Sequence, residues 1–173
     1  MTLSTPFIQQ NLSVKELKTW IFTSLFIVGN LLLPQLCHFV PGGGLIFLPI
    51  YFFTLIAAYK FGLKVGLLTA VLSPLVNSLL FGMPIVAMLP IILTKSVLLA
   101  IVASIVAHRS KSVSVILLAL VVLSYQVLGG IVEGLMAQNL MAGVQDFRIG
   151  FPGLMVQILG GWMVLKAMAR YER

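Results

Sequence analysis

Charged residues are scarce in this sequence, at 9% of 173 residues, and only four of the charged residues are acidic. Soluble domains carry about 25% charged residues. A chain with 60% hydrophobic residues and a mean hydropathy of +1.13 therefore cannot be a soluble globular protein, and it is expected to be an integral membrane protein. The net charge of +7 does not indicate nucleic-acid binding, because the basic residues lie between apolar runs rather than in one stripe.

Several kinds of catalytic and metal site are also missing. The sequence contains no His-Glu-x-x-His and no Gly-x-Ser-x-Gly, and its single aspartate, Asp146, excludes a two-aspartate intramembrane protease. The run PGGG at residues 41–44 lacks the Gly-Lys-Ser/Thr ending of a phosphate-binding loop, so the chain is not expected to hydrolyse ATP. His38 and His108 have no cysteine or carboxylate at ligand spacing, so no metal site is expected.

The lone cysteine and the amino-terminal segment give two further expectations. Cys37 cannot form an intramolecular disulfide, and it is expected to be a small buried side chain. The residues before position 17 lack a basic region followed by an apolar stretch and a cleavage site. The first apolar helix is therefore expected to be retained.

Long apolar runs organise the chain. A helix needs about 20 apolar residues to cross the hydrocarbon core of a bilayer. Six candidate spans cover residues 17–37, 45–59, 62–80, 85–107, 113–139 and 151–168, of which the second is short. The sequence therefore predicts an all-α integral membrane protein, in which residues 1–173 form a single domain, a compact bundle of six transmembrane helices.

The connections between these spans alternate in charge. One set of connections, together with both ends of the chain, carries nine lysines and arginines, whereas the other set carries only Arg148. Cytoplasmic segments of membrane proteins are enriched in lysine and arginine. The pattern therefore predicts that both termini are cytoplasmic and that the connections around residues 38–44, 81–84 and 140–150 lie outside. Glycine and proline in these outer connections favour either loops that fold over the bundle or merely short reversals.

Small residues recur every four positions on three spans, a pattern with which membrane helices approach closely. They are Gly62, Gly66 and Ala70 on the third span, Ser96, Ala100 and Ser104 on the fourth, and Gly130 and Gly134 on the fifth. These residues indicate a compact bundle, and the set on the third span is a candidate partner interface.

A lysine lies in the middle of the fourth span. Lys95 is the only charged residue between positions 85 and 107, and a rise of 1.5 Å per residue places it about 15 Å from the outer end of the helix. Glu133 lies on the fifth span, about 9 Å from its outer end. Charges at such depths are costly and persist when they have a partner. The sequence therefore predicts a Lys95–Glu133 ion pair.

Other polar side chains concentrate in the same half of the membrane, and Gln126, seven residues before Glu133, shares its helix face. They indicate either a solute pocket open to the outside or an ordinary buried hydrogen-bond network. Three roles are open for Lys95. It is a direct ligand for an anionic or carbonyl-bearing solute, one half of an ion pair, or a hydrated residue without a specific role. The candidate solute-binding residues are Lys95, Glu133, Asn77, Gln126, Gln157, His38 and Asn30.

Three stretches resemble the substrate-binding S component of energy-coupling-factor (ECF) vitamin transporters. Residues 150–157, GFPGLMVQ, are similar to the Gly-aromatic-Pro-Gly-x-x-x-Gln opening of the last helix in that family. Residues 128–135, LGGIVEGL, and 88–95, MLPIILTK, are similar to stretches in its fifth and fourth helices. The likeness covers roughly residues 45–168 and includes size and span number.

The chain departs from this family at its charges. Many relatives carry Glu on the fourth helix, where this chain has Lys95, and Arg on the fifth helix, where it has Gly130 followed by Glu133. The charges have exchanged helices, so the solute of a relative does not transfer to this chain. The small-residue contact of the first helix is not evident either, and Ser24 and Gly29 are its nearest substitutes as partner contacts.

The resemblance implies a transport function. Such a protein lies in the lipid bilayer of the inner membrane of a bacterial or archaeal cell. It captures a vitamin or related micronutrient from outside the cell. It then associates with a transmembrane coupling subunit and two cytoplasmic ATPases, and it topples in the membrane to release the solute inside. The chain itself is expected to bind no cofactor, because ATP is used by the partner subunits. It is also expected to bind no nucleic acid.

Two other functions remain open from the sequence. One is a membrane scaffold resembling the rod-shape protein MreD, which has a similar size and span number and needs partners but no solute. The other is an intramembrane enzyme that uses Glu133 and His38, although no nucleophile or metal ligands accompany them. The missing enzyme motifs favour a protein that is not an enzyme.

Overall fold

The structure, a computed structural model, describes residues 5–171, which are almost entirely helical. In chain order the elements are β1 (Thr5–Pro6), α1 (Leu17–Cys37), α2 (Gly43–Phe47), α3 (Phe52–Phe61), α4 (Leu63–Phe81), α5 (Leu89–Ser110), β2 (Ser112–Val113), α6 (Val115–Met136), α7 (Leu140–Arg148), α8 (Phe151–Met155) and α9 (Gly161–Tyr171). Single 3-10 turns, Pro49–Tyr51 and Val86–Met88, precede α3 and α5, and a π-helical turn, Val156–Gly160, joins α8 to α9. The all-α class predicted from the sequence is confirmed.

Five helical segments are long and apolar enough to cross a membrane. They are Leu17–Cys37, Leu63–Phe81, Val86–Ser110, Val115–Met136 and Phe151–Tyr171. Each agrees with one of the predicted spans to within a few residues. The prediction of a membrane-embedded helical protein is therefore confirmed.

The second predicted span, residues 45–59, is not one helix. α2 ends at Phe47, Leu48 has a left-handed backbone with φ of 47°, and Pro49 begins a new turn. Proline lacks the N–H that a continuous helix needs, and it disfavours the α conformation in the residue before it. The part of the chain that the structure describes therefore has five full-length spans and one shorter apolar helix, Pro49–Phe61, where six spans were predicted.

The short helix α3 forms the centre of the bundle. Every residue from Thr54 to Phe61 is buried, and α3 packs against α1, α4, α5 and α9. A helix that is apolar on nearly all sides belongs in a protein interior. The surrounding helices bury one face against this core and leave large apolar side chains exposed on the other, a surface suited to lipid.

The amino-terminal segment covers one end of the bundle. β1 pairs with β2 through Thr5 and Val113, and the Lys60 ammonium donates a hydrogen bond to the Ile8 carbonyl oxygen at 3.1 Å. Among residues 5–171, Lys15, Lys18, Lys60, Lys64, Arg109 and Lys111 lie at or beside helix ends on this side of the bundle, and Lys166 and Arg170 lie in the last two turns of α9. We call this end of the bundle the basic end.

Small residues on α4 contact α3. A Cβ on Gly66 would come within 2.5 Å of the Cβ of Ala58, so the two helices touch directly at this point. Ala70, four residues further along α4, is buried as well, and Gly62, just before α4, packs against Asn11 of the amino-terminal segment. The residues predicted as a partner interface, Gly62, Gly66 and Ala70, are therefore buried within the described part of the chain.

The two predicted partner residues on α1 differ in exposure. Gly29 faces α3, where an added Cβ would come 2.8 Å from the ring of Phe53. The side chain of Ser24 is exposed. Of the five predicted partner residues, Ser24 is thus the one whose side chain a neighbouring protein can reach.

A buried polar network joins α1 to α3 and α4. The Asn30 side chain donates to Thr54 Oγ1 at 3.1 Å and to Ser73 Oγ at 3.2 Å. The side-chain oxygen of Asn30, Oδ1, accepts a hydrogen bond from the backbone N–H of Phe53 at 3.3 Å. Asn30 is fully buried, so these bonds replace its contacts with water. It therefore fixes the position of α1 on the bundle.

We expect Asn30→Ala to lower the free energy of unfolding by about 1–3 kcal/mol, because the buried hydroxyls of Thr54 and Ser73 and the N–H of Phe53 lose a hydrogen-bond partner. Chemical denaturation of the purified protein in detergent measures this loss. Ser24→Ala, at an exposed position of the same helix, should change stability by less than about 0.5 kcal/mol. Equal stability of Asn30→Ala and the wild type would show that the network does not hold α1 in place.

Candidate functional site

A cavity of about 310 Å³ opens at the end of the bundle opposite the basic end. Its walls come from α1, α2, α4, α5, α6 and α7, from the 3-10 turns before α3 and α5, and from residues 83–85. Most of the lining side chains are aliphatic, with a few polar groups among them. Small-molecule sites typically have volumes of about 300–1,000 Å³ and this kind of lining. The cavity therefore has the size and composition of a site for a compact solute.

Three charged side chains meet at the wall of this cavity. The Lys95 Nζ on α5 lies 2.5 Å from Glu133 Oε2 on α6 and 2.7 Å from Asp146 Oδ2 on α7. The predicted Lys95–Glu133 ion pair is confirmed, and Asp146 is a second partner. We call these three residues the charged cluster.

Close packing of α7 on α6 brings Asp146 to the lysine. A Cβ on Gly130 would come within 2.5 Å of the Gly143 carbonyl oxygen, so the two backbones touch and leave no room for a side chain. The side chain of Asn139 caps the first turn of α7. Asp146 follows Gly143 by three residues and so lies on the same face of α7. The Gly130–Gly143 contact therefore aims Asp146 at Lys95.

The lysine stem lies along α6. A Cβ on Gly129 would come 2.5 Å from the Lys95 Cγ, so the missing side chain leaves the space that the stem fills. Only 3% of the Lys95 side chain is exposed, compared with 15% for Glu133 and 13% for Asp146. All three residues line the cavity. The side chains of the two carboxylates are therefore more exposed than that of the lysine.

The stability of the charged cluster depends on all three of its residues being present together. A buried charge costs several kcal/mol in lost hydration, which close pairing offsets. Lys95 has two carboxylates for this purpose, and Gln126 Nε2 lies 3.4 Å from Asp146 Oδ2 as a weaker donor. With all three residues charged, the cluster carries one net negative charge.

The seven predicted solute-binding residues fall into two groups. Lys95, Glu133, Asn77 and His38 line the cavity, and Gln126, Gln157 and Asn30 do not. The second group makes hydrogen bonds between helices: Gln157 accepts one from the Tyr125 hydroxyl at 2.8 Å, Gln126 reaches Asp146, and Asn30 holds α1. The structure thus places these three amides in the packing of the bundle rather than against a solute.

Two lining residues carry side-chain acceptors, but the Asn77 oxygen is buried too deeply for a solute to contact it. Asn77 is 1% exposed, and its side-chain oxygen has no hydrogen-bond partner among residues 5–171. His38 Nδ1 lies 2.6 Å from the Pro34 carbonyl oxygen, which only accepts, so Nδ1 is the nitrogen that donates. The other ring nitrogen, Nε2, is then an acceptor when the ring is neutral.

Asp146 is the member of the cluster that the sequence did not mark as a site residue. It lies in a segment predicted as a connection, which the structure shows to contain α7. Asn139 at the start of this segment and Arg148 at its end are typical of a short helix, and this signal predicts α7. The sequence holds no comparable signal that α7 folds back on α6, because that depends on the contact of Gly130 with Gly143.

Within the described range, residues 5–171, no group of three or more His, Cys, Asp or Glu side chains is placed to hold a metal ion. Comparison of the chain with protein families, curated proteins and solved structures gave no match.

Proposed function

We propose that this protein is the substrate-binding S component of an ECF-type ABC importer, which captures a vitamin or related micronutrient from outside the cell. The observation that carries this proposal is the cavity at one end of a membrane-embedded bundle, with the charged cluster at its wall. A membrane scaffold needs no such cavity. Charged residues inside a membrane bundle are costly, and they typically mark a functional site.

The stretch that most resembles the ECF family supports the same proposal. GFPGLMVQ opens the last helical segment, and a Cβ on Gly153 would come 2.4 Å from the backbone of Phe47. The motif therefore packs directly on α2. Residues of α2 and the residue after it, Gly44, Leu45 and Leu48, line the cavity. The motif thus helps to position one wall of the proposed solute site.

The distribution of charge supports an orientation with the cavity toward the outside. The basic end would face the cytoplasm, as expected for segments rich in lysine and arginine. We count α2 and Pro49–Phe61 together as a sixth, broken span, because irregular backbone at membrane depth is tolerated where protein buries it. Both termini would then lie in the cytoplasm of a bacterial or archaeal cell.

Uphill uptake would require other subunits. The sequence lacks a phosphate-binding loop, so a transmembrane coupling subunit and two cytoplasmic ATPases would use the ATP, and the chain itself would be neither an enzyme nor a cofactor-binding protein. Trp20, Ser24 and Val28 form an exposed row on α1. We propose that the coupling subunit contacts this row of residues, since small and apolar residues suit contact between membrane helices.

Gentle purification of the tagged protein from its native membrane tests the partner side of the proposal. We expect the coupling subunit and two ATPases to copurify, and Ser24→Trp to reduce their recovery by steric hindrance. Leu120→Trp, at an exposed position on α6, is the matched control and should leave recovery unchanged. If deletion of the protein changes cell shape and leaves micronutrient uptake unchanged, a scaffold function is correct and the importer function is wrong.

A further inference from the structure

We infer that the solute carries a positively charged nitrogen group that binds against the carboxylates of Glu133 and Asp146. The inference rests on the proposed function, because it names the solute class for the same cavity. It is carried by the charge balance of the cluster, by the exposure of its members and by a histidine acceptor in the cavity wall.

The charges of the cluster do not balance. Two carboxylates share one ammonium, so the charged cluster has one negative charge in excess when its members are ionised. Lys95 is the only lysine or arginine among the lining residues that the structure describes. Arg148, two positions after Asp146, is exposed and forms no ion pair with either carboxylate. An uncompensated charge beside an apolar cavity is unfavourable, and a cationic group in the cavity would compensate it.

The two carboxylates are more exposed than the lysine. The Lys95 side chain is 3% exposed, whereas those of Glu133 and Asp146 are 15% and 13% exposed. An anionic solute would approach like charges, which is repulsive at short distance. A cationic group would meet carboxylate oxygens instead, with which it forms strong charge-assisted hydrogen bonds. The geometry therefore favours a cation over the anionic solute considered from the sequence.

A histidine acceptor lies on the same cavity, apart from the carboxylates. His38 lines the cavity, and its Nδ1 lies against the Pro34 carbonyl oxygen. The other ring nitrogen, Nε2, is an acceptor when the ring is neutral. A solute that presents an N–H donor would satisfy this nitrogen.

The rest of the cavity sets the size and shape of the solute. Ile91, Ile92 and Met88 provide aliphatic walls, and Tyr51 contributes a buried aromatic ring, whose face attracts cations. A volume of about 310 Å³ admits a compact molecule rather than a long one. The expected solute is therefore a small cationic molecule with an apolar or aromatic body.

Matched pairs of probes test this class without any mutation. Pyridoxamine and pyridoxine differ by an ammonium in place of a hydroxyl, and 1-methylnicotinamide and nicotinamide differ by a fixed positive charge. Thiamine supplies a further cation, and biotin and pantothenate supply carboxylates. We expect a cationic probe to raise the thermal unfolding midpoint of the purified protein, and its neutral or anionic counterpart to have little effect.

Two isosteric variants then locate the contact. Glu133→Gln and Asp146→Asn should each weaken the affinity for the cationic probe by about tenfold or more, the usual effect of losing a hydrogen bond to a charged group. Glu16→Gln, an exposed carboxylate near the basic end, is the matched control and should leave affinity unchanged. The unfolding midpoint without probe checks that each variant folds.

The outcomes separate this inference from the proposed function. Tight binding of a neutral or anionic vitamin, unchanged in Glu133→Gln, would overturn the cationic class and leave the importer function in place. If sodium chloride alone gives the stabilisation, and Glu133→Gln abolishes it, the carboxylates bind an inorganic ion and the inference is wrong. No binding by any vitamin would overturn the inference and the proposed function together.

Discussion

Lys95→Ala should lower the free energy of unfolding by about 3–5 kcal/mol, the usual cost of removing one partner from a buried ion pair. The substitution leaves Glu133 and Asp146 side by side without the ammonium that lies 2.5 and 2.7 Å from their oxygens. It also empties the space above Gly129 that the lysine stem fills. Chemical denaturation in detergent, followed by the helical signal in circular dichroism, measures the loss.

A control and a rescue distinguish this electrostatic cause from a general effect of losing a lysine. Lys64→Ala removes an exposed lysine at the start of α4 and should change stability by less than about 0.5 kcal/mol. Adding Glu133→Gln and Asp146→Asn to Lys95→Ala should restore part of the stability, because neutral amides no longer repel each other. Wild-type stability of Lys95→Ala alone would show that the cluster does not stabilise the fold.

Gly143→Leu should have the second largest effect, a loss of about 3 kcal/mol, near the upper end for overpacking. Gly143 touches the backbone of Gly130, and a backbone cannot move aside as a flexible side chain can. The added side chain would push α7 away from α6 and withdraw Asp146 from Lys95. Both the unfolding midpoint and solute affinity should therefore fall.

The control for this variant is its neighbour on the same helix. Val144 is 45% exposed, so Val144→Leu adds bulk to α7 without meeting α6. We expect it to keep wild-type stability and solute affinity. If Gly143→Leu behaves like Val144→Leu, close contact of α6 and α7 is not what positions Asp146, and another cause must be sought for the arrangement of the cluster.

Much of the fold could be predicted from the sequence because a bilayer imposes simple constraints on length and polarity. Five apolar runs became helices within a few residues of their predicted bounds. The exception is residues 45–59, where Pro49 interrupts the helix and Leu48 takes a left-handed conformation. Hydropathy measures only the polarity of a run, so it could not show that α3 is a buried core helix rather than a lipid-facing span.

The candidate site could be predicted only in part. Lys95 and Glu133 were paired correctly, since isolated charges in apolar helices need partners and both lie in the same half of their spans. Asp146 was missed, because its position depends on two glycines that are far apart in the sequence and touch only in the fold. Gln157 and Asn30 were assigned to a solute, since polarity alone does not distinguish a pocket from a hydrogen bond between helices.

Thermal unfolding of the purified protein with single vitamins tests most directly whether the cavity binds a solute. The measurement compares the wild type with Ile92→Trp, which fills the cavity, and with Ile105→Trp, which adds the same bulk at an exposed position of α5. We predict that at least one vitamin raises the midpoint of the wild type and of Ile105→Trp but not that of Ile92→Trp. Failure of every vitamin to stabilise the wild type, or equal stabilisation of Ile92→Trp, would contradict a solute site in this cavity.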